Sequence, residues 1–363
     1  MTTRISATLI ASLLVAGPAL YAQDSVFNWS GTAGLGGQFV DTSGTVDEGK
    51  MREYRDLTSG LLSLLDLKGR SQSYHLDLFA ENLGRTDQYI DLRGGSYGMF
   101  KYQLSSDSLE HYFTTDARTP YSGAGTTTQR AALPSLDPST WNTYDLAYQR
   151  RNDAAMFEIS LGSPWYARVD AGEISFDGTK LQAYPQGTGS SNGFVDLGIP
   201  VDYSTRNLSL EGGYSSKRLH FALSYLDSKF DNNDRLLTWT NGYFGNNNPP
   251  ATSGNLGIDT SYLAADSEMT RLAFNGVVKQ LPLNSNLAVR YTASETTSDE
   301  AMGTSQLIGS ATAQSTAPFL ATPGTFKGKI DYETWALSWS GSPTETVDFR
   351  LWANDFKREN KSS

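Results

Sequence analysis

His75, His111 and His220 are the only histidines in the 363 residues, and there is no cysteine. Imidazoles and thiolates are the side chains that hold transition metals and attach haem, so their scarcity sets the first limit. No H-x-x-x-H pair occurs, and without thiolates a zinc or iron–sulfur centre lacks its ordinary ligands. A C-x-x-C-H haem attachment is impossible for the same reason. His75 and His220 fall on the polar side of alternating segments, and His111 stands in "LEHYF", read as a loop. All three read as ordinary lumen or loop residues. "DNND" at 231–234 has the look of a calcium loop but lacks the glycine at its sixth position and the closing glutamate. A Ser/His/Asp set could be assembled from scattered residues of any chain this size, so it carries no positive signal for catalysis. The chain reads as a non-enzyme, with no position assigned as catalytic, cofactor-binding or metal-binding. It is expected to bind no cofactor of its own.

The elements around these residues carry a clearer signal. "LSLEGGYSSKRLHFALSY" (208–225) is two alternating runs joined by a polar turn. Leu208, Leu210 and Tyr214, then Leu219, Phe221, Leu223 and Tyr225, share one face, opposite Glu211, His220 and Ser224. Period-two alternation across a short turn specifies a β-hairpin with one apolar and one polar face. The pattern recurs in "FNWSGTAGLGGQFVD" (27–41) and in "LLSLLDL" and "YHLDLFAENLG", flanking a turn at 68–71. "DQYIDLRGGSYGMFKYQL" turns at Gly94-Gly95, and "TYDLAYQRRNDAAMFEISLGSPWYARVDAGEI" turns near 151–153 and at 162–164. Two late hairpins, "TRLAFNGVVKQLPLNSNLAVRYTAS" and "YETWALSWSGSPTETVDFRLWANDF", complete the series. Twelve to fifteen strands are expected, with no helix beyond the first residues.

The apolar fraction is 38%, low for a soluble core in a chain this long, and the aromatic share is 12%. A mean hydropathy of -0.40 excludes a helical membrane protein but not a barrel, in which only alternate strand residues need be apolar. The formal charge of -10 argues against a nucleic-acid partner. The opening "MTTRISATLIASLLVAGPALYAQDS" has Arg4, an apolar run and small residues before Ala22. It reads as a secretory signal over residues 1–22, with export through the periplasm and a mature domain from 23 to 363.

Short turns near 217, 282 and 342 alternate with long polar stretches, the longest at about 227–267 and 295–329. Short turns at one end and long loops at the other mark an outer-membrane barrel. The expected fold is all-β, a large transmembrane antiparallel β-barrel. A secreted sandwich or adhesin and a β-solenoid are the competing readings. Tyr54, Tyr74, Tyr89, Tyr148, Trp165, Tyr166, Tyr225 and Trp352 fall near strand ends, where interfacial girdles would place them.

One region is more specific than alternation. "KYQLSSDSLEHYFTTDARTPYSGAGTTTQRAALPS" (101–135), with "REYRDLTSGLLSLLDLKG" and "LDLFAENLGRTDQYIDLRGGSYGMFKY" before it, resembles the decahaem-associated outer-membrane proteins of the MtrB/PioB family. The resemblance covers most of the mature chain and is strongest from Glu53 to Pro134. It implies a Gram-negative outer-membrane barrel that sheathes a multihaem c-type cytochrome. Electrons would cross the membrane outward to metals or inward from iron oxidation, with the haems carried by the partner. Two departures stand out. Some members carry a Cys-x-x-Cys near the mature N-terminus, which has no counterpart here, and members are considerably longer. The last strand, "VDFRLWANDFKREN", lacks a closing partner, so the expectation is a fragment of roughly half the barrel. A general diffusion porin or solute channel is the alternative function.

Overall fold

The computed structural model describes residues 27–41, 48–131, 137–160, 164–186, 193–241, 257–302 and 324–363. The expected signal segment, 1–22, lies outside the described residues. Sixteen strands are present among those described: β1 (Asn28–Gln38), β2 (Gly60–Arg70), β3 (Tyr74–Glu81), β4 (Tyr89–Ser96), β5 (Phe100–Thr119), β6 (Thr128–Gln129), β7 (Asn142–Ser160), β8 (Trp165–Gln186), β9 (Gly193–Ser215), β10 (Leu219–Asn232), β11 (Leu236–Asn241), β12 (Gly257–Tyr262), β13 (Ser267–Leu281), β14 (Ser285–Met302), β15 (Gly324–Thr344) and β16 (Val347–Asn360). One turn of helix, Glu48–Met51, and a 3-10 turn, Pro138–Thr140, accompany them.

Thirteen strands form one sheet in the order β1-β2-β3-β4-β5-β7-β8-β9-β10-β13-β14-β15-β16, with β1 and β16 as its edges. Each strand pairs antiparallel with its neighbours in sequence, except where β6, β11 and β12 leave to form a second sheet. The hairpin at 208–225 forms with the register its alternation demands: Tyr225 faces Leu210, Phe221 faces Tyr214 and Ser224 faces Glu211. Its turn closes where Ser216 N–H donates to the Leu219 carbonyl at 2.8 Å.

Several expected turns lie elsewhere. Gly94-Gly95 sits inside β4, and the chain reverses at residues 97–99, where Gly98 takes φ +73°. The two glycines answer close approaches instead: a Cβ on Gly94 would meet the Tyr102 hydroxyl oxygen at 2.5 Å, and one on Gly95 would clash with the Phe100 carbonyl. Arg151–Asp153 is no turn but the middle of β7, where Arg151 Nε pairs with Asp153 at 2.8 Å. The 68–71 turn falls at 71–73, and the one near 342 at 345–346. His111 belongs to β5, not to a loop. The long stretches at 227–267 and 295–329 are partly strand, and only their centres, 242–256 and 303–323, lie outside the described residues.

The two faces of the main sheet differ as the alternation requires. One presents Leu208, Leu210, Leu223, Tyr225, Leu272, Trp335 and Leu337, each more than two-fifths exposed. On the other, Ala222 is 4% and Ala273 9% exposed, the crowding expected of the concave side of a curved sheet. The apolar face is a band rather than a whole surface. It runs from Leu219 to Tyr225 on β10 and from Leu287 to Ala293 on β14, and gives way to Asp227 and Glu295. Seven residues at about 3.4 Å each make roughly 24 Å of strand, the scale of the lipid-facing band of an outer-membrane barrel. The band is bounded on the short-turn side by ring clusters: Trp165 lies 5.0 Å from Tyr214 and 5.6 Å from Phe221, and Trp339 lies 4.9 Å from Phe349. Toward the long-loop side the Tyr291 and Trp335 rings meet at 4.2 Å, tilted by 40°.

Tyr74, Trp165 and Tyr225 therefore take girdle positions. Tyr89, Tyr148, Tyr166 and Trp352 do not: each pairs across the sheet with residues of the concave face. Trp352, opposite Ser338, shares its face with Arg350 and Asn354. In "FRLWANDF" both faces carry rings, so alternation alone could not orient them.

Candidate functional site

The concave face is the surface on which this fold can act. It is built from the polar half of each alternating strand, and across β1 to β9 its charges are matched. Along one cross-strand row Lys101, Glu158, Arg168 and Glu211 stand opposite one another with alternating sign. Lys101 Nζ lies 3.0 Å from Glu158, Arg168 donates to Asp170 at 2.6 Å, and the Tyr166 hydroxyl donates to Glu211 at 2.9 Å. Arg70–Asp77 at 2.6 Å and Arg150–Asp107 at 3.1 Å bridge neighbouring strands diagonally, and Arg93–Asp91 at 2.7 Å pairs two residues apart along β4. Opposite charges across and along the strands hold side chains in place and leave a wall of low net charge.

Further toward the long loops, rings replace charges. Tyr54, His111, Tyr148, Phe176, Tyr203 and Phe230 form a continuous row, with successive centroids at 4.3, 5.4, 5.9, 5.1 and 5.5 Å. His111 is 8% exposed, enclosed between Tyr54 and Tyr148. His75 also faces inward and stacks on Tyr97 at 5.2 Å. His220 lies on the same face of β10, opposite Ser215 and Val277. The three histidines are thus spread over separate strands, and among the described residues no group of three His, Asp or Glu side chains converges on a point. The "DNND" residues are occupied locally: Asp231 pairs with Arg206, Asn232 Nδ2 donates to the Ala264 carbonyl at 2.9 Å and Asn233 Nδ2 to Asp202 at 2.9 Å.

At the long-loop end the concave face becomes apolar. β11 pairs antiparallel with β12 and parallel with β6, and this small sheet packs on the inward side of β8 and β9. Leu197, Ile199, Leu237 and Trp239 are 0–3% exposed in its core. Gln129 Nε2 donates to the Gly198 carbonyl at 2.8 Å, and Arg130 Nη1 to the Thr238 carbonyl at 3.0 Å. Sequence reasoning missed this inward core. Its signal was present in "FVDLGIPV", where Val195, Leu197, Ile199 and Val201 continue the face that carries Ser209 and Glu211 lower on the same strand.

A second built feature joins the loops of the first strands. Asp56 is 8% exposed, and its carboxylate accepts from the Thr58 hydroxyl at 2.5 Å and the Thr86 amide at 3.2 Å, with Arg85 Nη2 at 3.1 Å. Burial opposes ionisation here. The Thr58 hydroxyl, the Thr86 and Thr58 amides and the Arg85 guanidinium outweigh it and hold the carboxyl below the usual carboxylate range.

A thirteen-stranded antiparallel meander with a lipid-scale apolar band outside and matched charges inside is an outer-membrane wall. A profile of the family described as outer membrane beta-barrel porin, MtrB/PioB, matches residues 45–361. The chain belongs to the MtrB/PioB family. Outer membrane protein MtrB of Shewanella baltica (strain OS185) is 26% identical over 204 residues, which cover 52% of this chain and 28% of that relative. Membership places the protein in the outer membrane, with the apolar band against lipid and the concave face toward the barrel interior. MtrB/PioB is a family of outer-membrane barrels rather than of enzymes.

Proposed function

We propose that the protein is the lipid-facing sheath of an electron conduit, holding a multihaem c-type cytochrome inside the barrel while that partner carries the electrons. The observation that carries this reading is the division of labour between the two faces. The outward face has the band and girdles that fix depth in a bilayer, and the inward face is polar, largely charge-matched and built for contact with another polar surface. The chain has no cysteine, so haem attached through C-x-x-C-H must belong to the partner. The direction of electron flow follows from the donor and acceptor, which the sheath does not fix.

A diffusion porin is the second reading, favoured by the family's description. The two separate on purification. The full-length protein, tagged and extracted from its own outer membrane, should carry covalent haem with a Soret band in fixed ratio to barrel. A colourless barrel that conducts ions through an open lumen would replace the sheath by the porin.

A further inference from the structure

The inward face is not uniform, and its second half breaks the charge matching of the first. On β13, β14 and β16 the inward positions include Arg271, Arg290, Arg350 and Arg358. All four side chains are exposed, and none has a carboxylate partner among the described residues. Arg290 Nε donates to the Asn275 amide oxygen at 2.9 Å, and Arg358 lies 5.7 Å over the Tyr332 ring. The acids on this part of the face stand at its two ends and are engaged. Asp348 accepts from the Ser342 hydroxyl at 2.6 Å, and Glu300 lies 3.7 Å from Arg235. Between them the wall carries four guanidiniums and no acid.

The surroundings keep these groups accessible. Around Arg271 and Arg290 the inward neighbours include Ala273, Ser294, Ala288 and Ala336, so these long side chains stand clear of the sheet, while Arg350 and Arg358 stand beside Trp352 and Tyr332 on the edge pair. An open groove of about 730 Å³ runs from Glu211 and His220 on the neighbouring strands onto this wall, where Arg290, Arg350, Trp352 and Asn354 line it; Glu211 is engaged by the Tyr166 hydroxyl.

We infer that the β13–β16 wall is the docking surface for an acidic face of the cytochrome guest, through surface carboxylates engaged at several separate points. The inference rests on the sheath reading above. Geometry favours an extended acidic surface over a single small anion. Arg290 and Arg350 lie two strands apart at the ~4.8 Å spacing and four residues apart along the strand at ~3.4 Å each, roughly 17 Å between backbones, so they do not converge on one ion. Arg271 and Arg358 form a second tier, three strands apart along one cross-strand row. Guanidinium suits this role because it keeps its charge at every physiological pH and can donate N–H bonds to carboxylates arriving from several directions.

The test is haem retention on the tagged full-length protein, purified from its own outer membrane, with all four arginines changed to Gln or all four to Lys. Two paired variants, Arg290→Gln with Arg350→Gln and Arg271→Gln with Arg358→Gln, serve if the fourfold change impairs assembly, which heat-modifiable migration reports. The Gln series should lose about tenfold or more of its Soret absorbance per assembled barrel while the Lys series keeps most of it. Undiminished haem in assembled Gln variants would overturn the inference and leave the sheath reading standing. Equal loss in the Lys series would overturn it too, since charge is the claim. If haem is unchanged but the anion preference of the barrel in planar bilayers falls, the arginines serve free anions and not the guest. A wild-type barrel without haem would instead remove the sheath reading itself, and this inference with it.

Discussion

Arg85 joins three parts of the loop end. Its guanidinium reaches the Asp56 carboxylate and backbone carbonyl and the Thr58 carbonyl, and both it and Asp56 are less than a tenth exposed. Arg85→Ala leaves a buried carboxylate without its cation, and changes of that kind cost about 3 to 5 kcal/mol. The variant should expose the 48–59 segment to protease while the lower sheet stays resistant. The pH dependence has a definite sign. Asp56 has a lowered pKa in the folded protein, so its contribution is complete above the unfolded value of about 3.9 and is lost as pH falls through the folded value. Protease resistance of this segment should therefore hold at neutral pH and fall below about pH 4, and Asp56→Asn should flatten that dependence. Single residues were legible in the sequence where alternation fixed their face, as at His75 and His220. His111 was not, because β5 runs far past the membrane band and "LEHYF" carries none of the apolar alternation that identifies a strand.

At the scale of elements, the β9–β10 hairpin gives the cleanest test of which side meets lipid. Leu223 is 52% exposed near the middle of the apolar band, while its neighbour Ser224 faces inward opposite Glu211 and Ala273. Arginine at a lipid-facing midplane site costs roughly 2 to 4 kcal/mol. Leu223→Arg should lower the amount of assembled barrel in the outer membrane, and Ser224→Arg should be tolerated. Equal effects, or the reverse order, would contradict the register. The small sheet of β6, β11 and β12 offers a second test. Leu237 is fully buried, and truncating such a side chain costs about 2 to 5 kcal/mol. Leu237→Ala should loosen this cap, read as faster proteolysis near 120–131, without reducing membrane assembly. Hairpins with one apolar face were legible because each arm obeys period two. The turns at 94–95 and 151–153 were misplaced because glycine pairs and charge runs also occur inside strands. There a ring or carbonyl approaches closely, or a strand rises beyond the lipid into water. The inward cap was illegible because its partners lie about 110 residues apart in sequence, as Arg130 and Thr238 do.

The molecule as a whole divides its chemistry between its two sides. The apolar band and the turn asymmetry were readable from composition and spacing, because the bilayer imposes them on every strand alike, whereas the girdle was legible only at Tyr74, Trp165 and Tyr225 because rings also line the concave face. The contrast between a charge-matched wall and an arginine wall was not. It depends on which strands are neighbours, and that appears only once register is fixed. β8 and β9 run for 22 and 23 residues, far longer than a membrane crossing requires, so the wall continues beyond the lipid on the loop side. Such a wall can enclose a guest longer than the bilayer is thick. The central claim is that this protein positions an electron carrier and carries no electrons itself. It is tested most directly in liposomes that enclose a redox dye, with reductant added outside. The full-length barrel alone should leave the dye oxidised, and barrel assembled with its haem-bearing partner should reduce it; reduction by the barrel alone would contradict the account.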